Sequence, residues 1–244
     1  MAVSVGTLEP VGCQNSVRLE KWAFVGRGSF WLPTGFKPWI NLSVVRRTSP
    51  IALALAAVLA SSGMAAGTPS MRTTKAPWPR PNDTLTLARV TGLTPRTHEF
   101  FAYHVHAHLD VFVNGRPVRV PAGVGINIAD PAVHRGRLPD GTLGFGGIKM
   151  CSKPCISPLH THDDSGILHT ESQRAHPNRL GQFFLEWRVR LSRSCVGGYC
   201  RHLKVYVDGK QYPGDPRSIT LTDQKDIVIA IGKPPAVIPS PFPQ

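Results

Sequence analysis

Residues 104–115, "HVHAHLDVFVNG", alternate strictly. Val105, Ala107, Leu109, Val111 and Val113 fall on one face, and His104, His106, His108 and Asp110 on the other. A period of two belongs to a β-strand, where successive side chains point to opposite sides. The apolar set needs a core to cover it. "NGRP" then turns the chain into "VRVPAGVGINI", a hairpin partner. Further along, "LKVYVDGKQY" reads as a strand ending in an Asp-Gly turn, and "SITLTDQKDIVIAIG" as two short strands around a polar turn. One segment, "NRLGQFFLEWRVRL", places Leu180, Phe183, Phe184 and Trp187 at helical spacing, a pattern that core packing explains. The expected fold is therefore mainly β, an antiparallel sandwich-like or α+β domain with one short helix.

Outside that region the chain changes character. Residues 44–66, "VVRRTSPIALALAAVLASSGMAA", carry the three parts of a signal peptide. Arg46 and Arg47 form the positive end, 51–60 an uncharged apolar run, and 61–66 the small residues a signal peptidase needs. The run is about half of the roughly 20 residues a spanning helix requires, so a membrane anchor is the weaker alternative. Residues 1–43 show no sustained period and read as an untranslated or unstructured extension, with translation beginning near Val44 or Val45. Residues 67–82, "GTPSMRTTKAPWPRPN", read as an extended linker. The globular domain spans 83–233, and 234–244 form a Pro-rich tail. The mature protein is thus expected outside the cytoplasm, in a periplasm, cell envelope or medium, with no stable membrane span after cleavage.

The 244 residues carry a net charge of +13. No basic run or helix face gathers that charge, which argues against a nucleic-acid partner and leaves anionic envelope polymers as the better match outside the cell. Four cysteines follow Cys13: Cys151, Cys155, Cys195 and Cys200. An even number in an exported domain points to two disulfides, with the local pairs Cys151–Cys155 and Cys195–Cys200 favoured among three connectivities. A four-thiolate zinc site is the alternative, but the intervening spacings of three and four differ from the usual two.

All ten histidines lie between 98 and 202. A second cluster reads "CISPLHTHDDSGILHTES". If Asp163, Asp164, Ser165 and Gly166 form a four-residue hairpin loop, His160 pairs with His169 and His162 with Ile167. His160, His162, His169 and Glu171 then share one face. Neutral imidazole is the commonest metal donor, so that patch is metal-ligand chemistry. In the first cluster His104 and His108 stand roughly 13 Å apart along a straight strand, too far for one small ion. The expected pair is His104 with His106, leaving His108 outside the centre or at a second site. The competing readings are a His-lined site for a metal-free ligand, and the wet face of an edge strand. A blue-copper centre is disfavoured, because Met150 is the last methionine.

The ordered motifs "HVHAHLDVFVNGRPVRVPAGVGI", "CISPLHTHDDSGILHTES" and "LGQFFLEW", over roughly 104–190, resemble a family of mostly uncharacterised exported bacterial and archaeal proteins. The resemblance carries His104, His106, His160, His162 and His169 as motif positions and implies no reaction. "QRAHPNR" departs from the acidic or Thr residues expected there. The function expected is binding of copper or zinc in metal handling. The alternatives are a metalloenzyme that activates water with Glu171 or Asp163 as general base, and a disulfide-stabilised envelope module without metal. No H-E-x-x-H or G-x-S-x-G signature supports catalysis.

Overall fold

The computed structural model describes residues 69–138, 141–240 and Phe242. The signal-peptide reading, the 1–43 extension and Cys13 lie outside them. The described chain is a β-rich α+β domain. Its main sheet comprises β1 (Tyr103–Val113), β2 (Arg116–Val118), β5 (Leu159–His160), β6 (Ile167–Ser172), β7 (Leu203–Val207), β8 (Lys210–Gln211) and β9 (Lys225–Ile231). A separate two-stranded sheet holds β3 (His134–Arg137) and β4 (Leu143–Gly146). The helices are α1 (Thr84–Val90) and α2 (Leu180–Glu186). No described helix is long and apolar enough to cross a membrane.

The main sheet runs β5-β6-β1-β9-β7-β8, with β2 also on β1. The alternation over 104–115 becomes β1 as expected, with Ala107, Leu109 and Val111 in the core. Three features of the sheet differ from the sequence reading. β1 pairs with β9 in parallel, so the sheet is mixed rather than wholly antiparallel. "SITLTDQKDIVIAIG" supplies one long strand rather than two. Its last six residues are buried, as suits a central strand covered on both faces. The hairpin partner after Asn114–Gly115 is also only three residues long, because the chain leaves β1 at Arg119.

Under the sheet lies α2, the helix expected from the spacing. It buries Leu180, Phe183 and Phe184, and Trp187 packs at its end. Gln182 secures its start by accepting a hydrogen bond from the Arg179 amide at 2.8 Å. Helix α1 lies outside the sequence reading; it presents Ala88 to the same core, and its Leu87 is buried as well. The stretch read as an extended linker is tied down from Arg72 onward. Arg72 bridges to Val189, and Trp78 is buried edge-on against Trp187 with centroids 5.7 Å apart. The Trp187 indole donates to the Trp78 carbonyl at 3.0 Å. Pro and Thr content alone carries no signal for such docking; a tryptophan among them does.

Both local disulfides are present, Cys151–Cys155 and Cys195–Cys200. The first belongs to a smaller apolar cluster with Ile126, Ile148 and Ile156. The Cys151 amide donates to the Thr97 carbonyl (2.7 Å) and the Cys155 amide to that of Arg96 (2.8 Å). These bonds fasten the segment leading to Glu99 and Phe100, which flanks the histidines.

Because Trp78 is a core side chain, Trp78→Ala should cost about 3–5 kcal/mol in chemical denaturation. A loss below about 0.5 kcal/mol, as expected for a solvated linker, would contradict the packing.

Candidate metal centre

The centre follows from strand register. His160 pairs with His169 across β5–β6, and His169 pairs with His106 across β6–β1. Directly opposed residues project to the same face. Three imidazoles from three adjacent strands thus form one row. One step along, His104 opposes Glu171. His162 follows β5 and closes the cluster, its ring centroid 4.4 Å from that of His169. All five expected metal ligands meet, and His169 is at their middle, with His106 at 4.5 Å and His160 stacked at 5.3 Å.

Two backbone carbonyls decide which nitrogens are bare. His160 Nδ1 lies 2.9 Å from the Ser157 carbonyl, and His162 Nδ1 lies 2.5 Å from that of Phe145. A carbonyl only accepts, so each Nδ1 carries the proton that it donates. In the neutral rings both Nε2 atoms are then lone pairs, and they face each other at 3.2 Å. Two acceptors at that distance repel unless a cation lies between them. Glu171 adds to the same deficit. Its Oε2 accepts from the Phe100 amide at 3.0 Å, while Oε1 is buried and accepts no hydrogen bond. Oε1 stands 3.5 Å from His160 Nε2 and 3.3 Å from His104 Nε2. On the other flank His104 Nε2 is 2.9 Å from His106 Nε2 and 3.1 Å from His169 Nδ1. Zinc–nitrogen bonds of about 2.0–2.1 Å place tetrahedral donors about 3.3–3.4 Å apart, and a square arrangement about 2.9 Å apart. The observed spacings match neighbouring ligands on an ion.

The donors form two compatible groups, His160, His162, His169 and Glu171 on one side and His104, His106 and His169 on the other. These residues could hold a metal ion. Their electrostatics favour it. Burial, reinforced by neighbouring imidazoles, holds His160 and His169 far below the ordinary histidine range and lowers His104 as well. Those rings are neutral, the form that binds metal. Burial pushes Glu171 up to about 7, against the stabilising Phe100 hydrogen bond, and Glu99 adds to the rise.

Supporting contacts run inward from the row. The Ser157 hydroxyl donates to Glu186 at 2.7 Å in the core, and Ser157 in turn orients His160 through its carbonyl. Burial keeps Glu186 far above the usual carboxyl range. Gly125 lets the covering loop approach β5: at φ +77°, an added Cβ would lie 2.4 Å from the Leu159 carbonyl. Gly166 closes the Asp163–Gly166 loop at φ +92°, where a Cβ would come within 2.6 Å of the Leu109 carbonyl.

Not every expected residue joins the centre. His108 turns away to the β9 side, Nδ1 lying 3.1 Å from Asp226 and Nε2 3.0 Å from the Ser165 carbonyl. Asp163 is occupied in its own turn, where Oδ1 accepts from the Ser165 amide at 2.9 Å. Sequence reasoning missed Glu99, 3.7 Å from His162 Nε2, because nothing in "RTHEFF" distinguishes it from a solvated surface acid. A groove of about 470 Å³ opens against His162 and His169, bordered by Glu99, Asp163 and Arg137. Among the described residues every cysteine is in a disulfide, so the donor set is nitrogen and oxygen only.

No family model, no curated protein and no solved structure matches this chain.

With its acid constant near pH 7, Glu171 holds a proton below that value and is a carboxylate above it. A metal that binds the carboxylate must displace the proton, so affinity should fall as pH drops through 7, by up to about tenfold per unit. In calorimetry at pH 6 in two buffers, Glu171→Gln should release about one proton fewer per metal bound. Equal proton release in both proteins would remove Glu171 from the ligand set.

Proposed function

We propose that this protein is an exported metal-binding protein that takes copper or zinc into the five-histidine centre and serves in handling or sequestering that ion. The observation that carries the reading is the pair of bare Nε2 lone pairs of His160 and His162, 3.2 Å apart and fixed by backbone carbonyls. Nitrogen-rich sites with imidazole ligands suit copper and zinc, and copper(II) stands above zinc in intrinsic affinity. Export is supported by the two disulfides, which persist in oxidising compartments, and by the signal-like stretch at 44–66.

A second reading, metal-assisted hydrolysis, draws on the groove that reaches His162 and His169. An ion held there with an open position would lower the acid constant of a bound water and act as a Lewis acid. Glu99, on the groove wall beside His162, is then a better-placed base than Asp163. Handling is the better-supported reading, because the chain surrounds His169 with four further imidazoles, more donors than a three-histidine site needs.

The test is metal content after loading with copper(II) or zinc(II) and desalting. Wild type should retain stoichiometric metal, and His106→Ala and His169→Ala should each lose most of it while keeping the wild-type far-UV circular dichroism. Full occupancy in either folded variant would overturn the ligand assignment.

A further inference from the structure

We infer that His108, Asp110 and Asp226 form a second cation site, distinct from the five-histidine centre, that takes a harder divalent transition ion such as manganese(II). His108 and Asp110 continue the polar face of β1, and Asp226 lies opposite His108 on the parallel neighbour β9. The donor atoms of the three lie within 4.8 Å of one another. His108 Nδ1 is 3.1 Å from Asp226 Oδ1 and 3.7 Å from Asp110 Oδ2.

Three observations support an ion here. The first is the tautomer of His108. Its Nε2 faces the Ser165 carbonyl at 3.0 Å, an acceptor only, so Nε2 carries the ring proton and Nδ1 is the nitrogen turned to the carboxylates. A backbone carbonyl orienting one imidazole nitrogen while the other faces oxygen donors is the usual arrangement around a histidine ligand. The second is Asp226. Its side chain is only 3 % exposed, and Oδ2 is buried without a hydrogen-bond donor. A buried carboxylate oxygen with no donor is costly unless a cation satisfies it. The third is the charge balance. Two carboxylates face one imidazole, which leaves at least one negative charge for an ion to neutralise.

The ligand types set the ion. Imidazole with two carboxylates is a harder, more oxygen-rich set than the five-histidine centre, and carboxylate with water suits manganese. Asp110 is the most exposed of the three, with 27 % of its side chain accessible, so water has a path to complete the shell.

Manganese(II) binding to the full chain, followed by electron paramagnetic resonance of the free ion, tests the site. The proposal expects one ion per chain, equal affinity in His106→Ala, and at least tenfold weaker binding in Asp110→Asn and Asp226→Asn. Asp110→Asn is nearly isosteric at a half-exposed position, so it keeps the test open if Asp226→Asn fails to fold. No manganese bound to wild type at millimolar concentration, or unchanged affinity in Asp110→Asn, would overturn it. Loss in His106→Ala with retention in Asp110→Asn would move the ion to the five-histidine centre. Copper or zinc retention there is read separately, so either proposal can fail alone.

Discussion

The register of three neighbouring strands is the constraint on which the rest depends. β5, β6 and β1 are aligned so that His160, His169 and His106 stand in one row. Slipping any of these strands by one residue would turn its histidines to the opposite face. Register is held by what lies behind the row: Leu159, Leu168 and Ala107 are all buried in the core. The apolar side chains choose the face, and the imidazoles inherit their position from that choice. The tight loop at Gly166 and the covering loop at Gly125 then leave no slack around β5 and β6.

What the core arranges, the backbone completes. Carbonyls of Ser157 and Phe145 hold two imidazoles in the tautomer that leaves Nε2 bare. Phe145 comes from β4, outside the main sheet, so the small sheet has a chemical role at the centre as well as a structural one. The Cys151–Cys155 bridge anchors the segment whose Phe100 amide engages Glu171. Burial then keeps the central rings uncharged. A folded domain that crowds neutral imidazoles together and leaves a carboxylate oxygen without a donor gives up stability, which a bound ion would restore.

Much of this was legible in the sequence where the information was local. Alternation over 104–115 gave the face of every histidine in β1, and the D-D-S-G loop gave the pairing of His160 with His169, but not the expected pair His162–Ile167, since β5 ends at His160 and Ile167 pairs with His108. Strand rise excluded all three β1 histidines from one ion, and the favoured pair, His104 with His106, is the one the structure brings together, with His108 apart. The unreadable parts are non-local. Nothing in the sequence says that β6 lies beside β1, that β9 runs parallel to it, or that Trp78 returns to the core from a Pro-rich stretch. Glu99 and the Phe145 carbonyl were equally hidden, since an ordinary acid and a backbone atom carry no pattern.

The central claim is that imidazoles from separate strands bind one centre, and X-ray absorption at the metal edge reads it most directly. Protein loaded with one equivalent of copper or zinc should give a nitrogen and oxygen shell with the outer-shell scattering of at least three imidazole rings and no sulfur. A shell of oxygen with one imidazole or none would contradict the account.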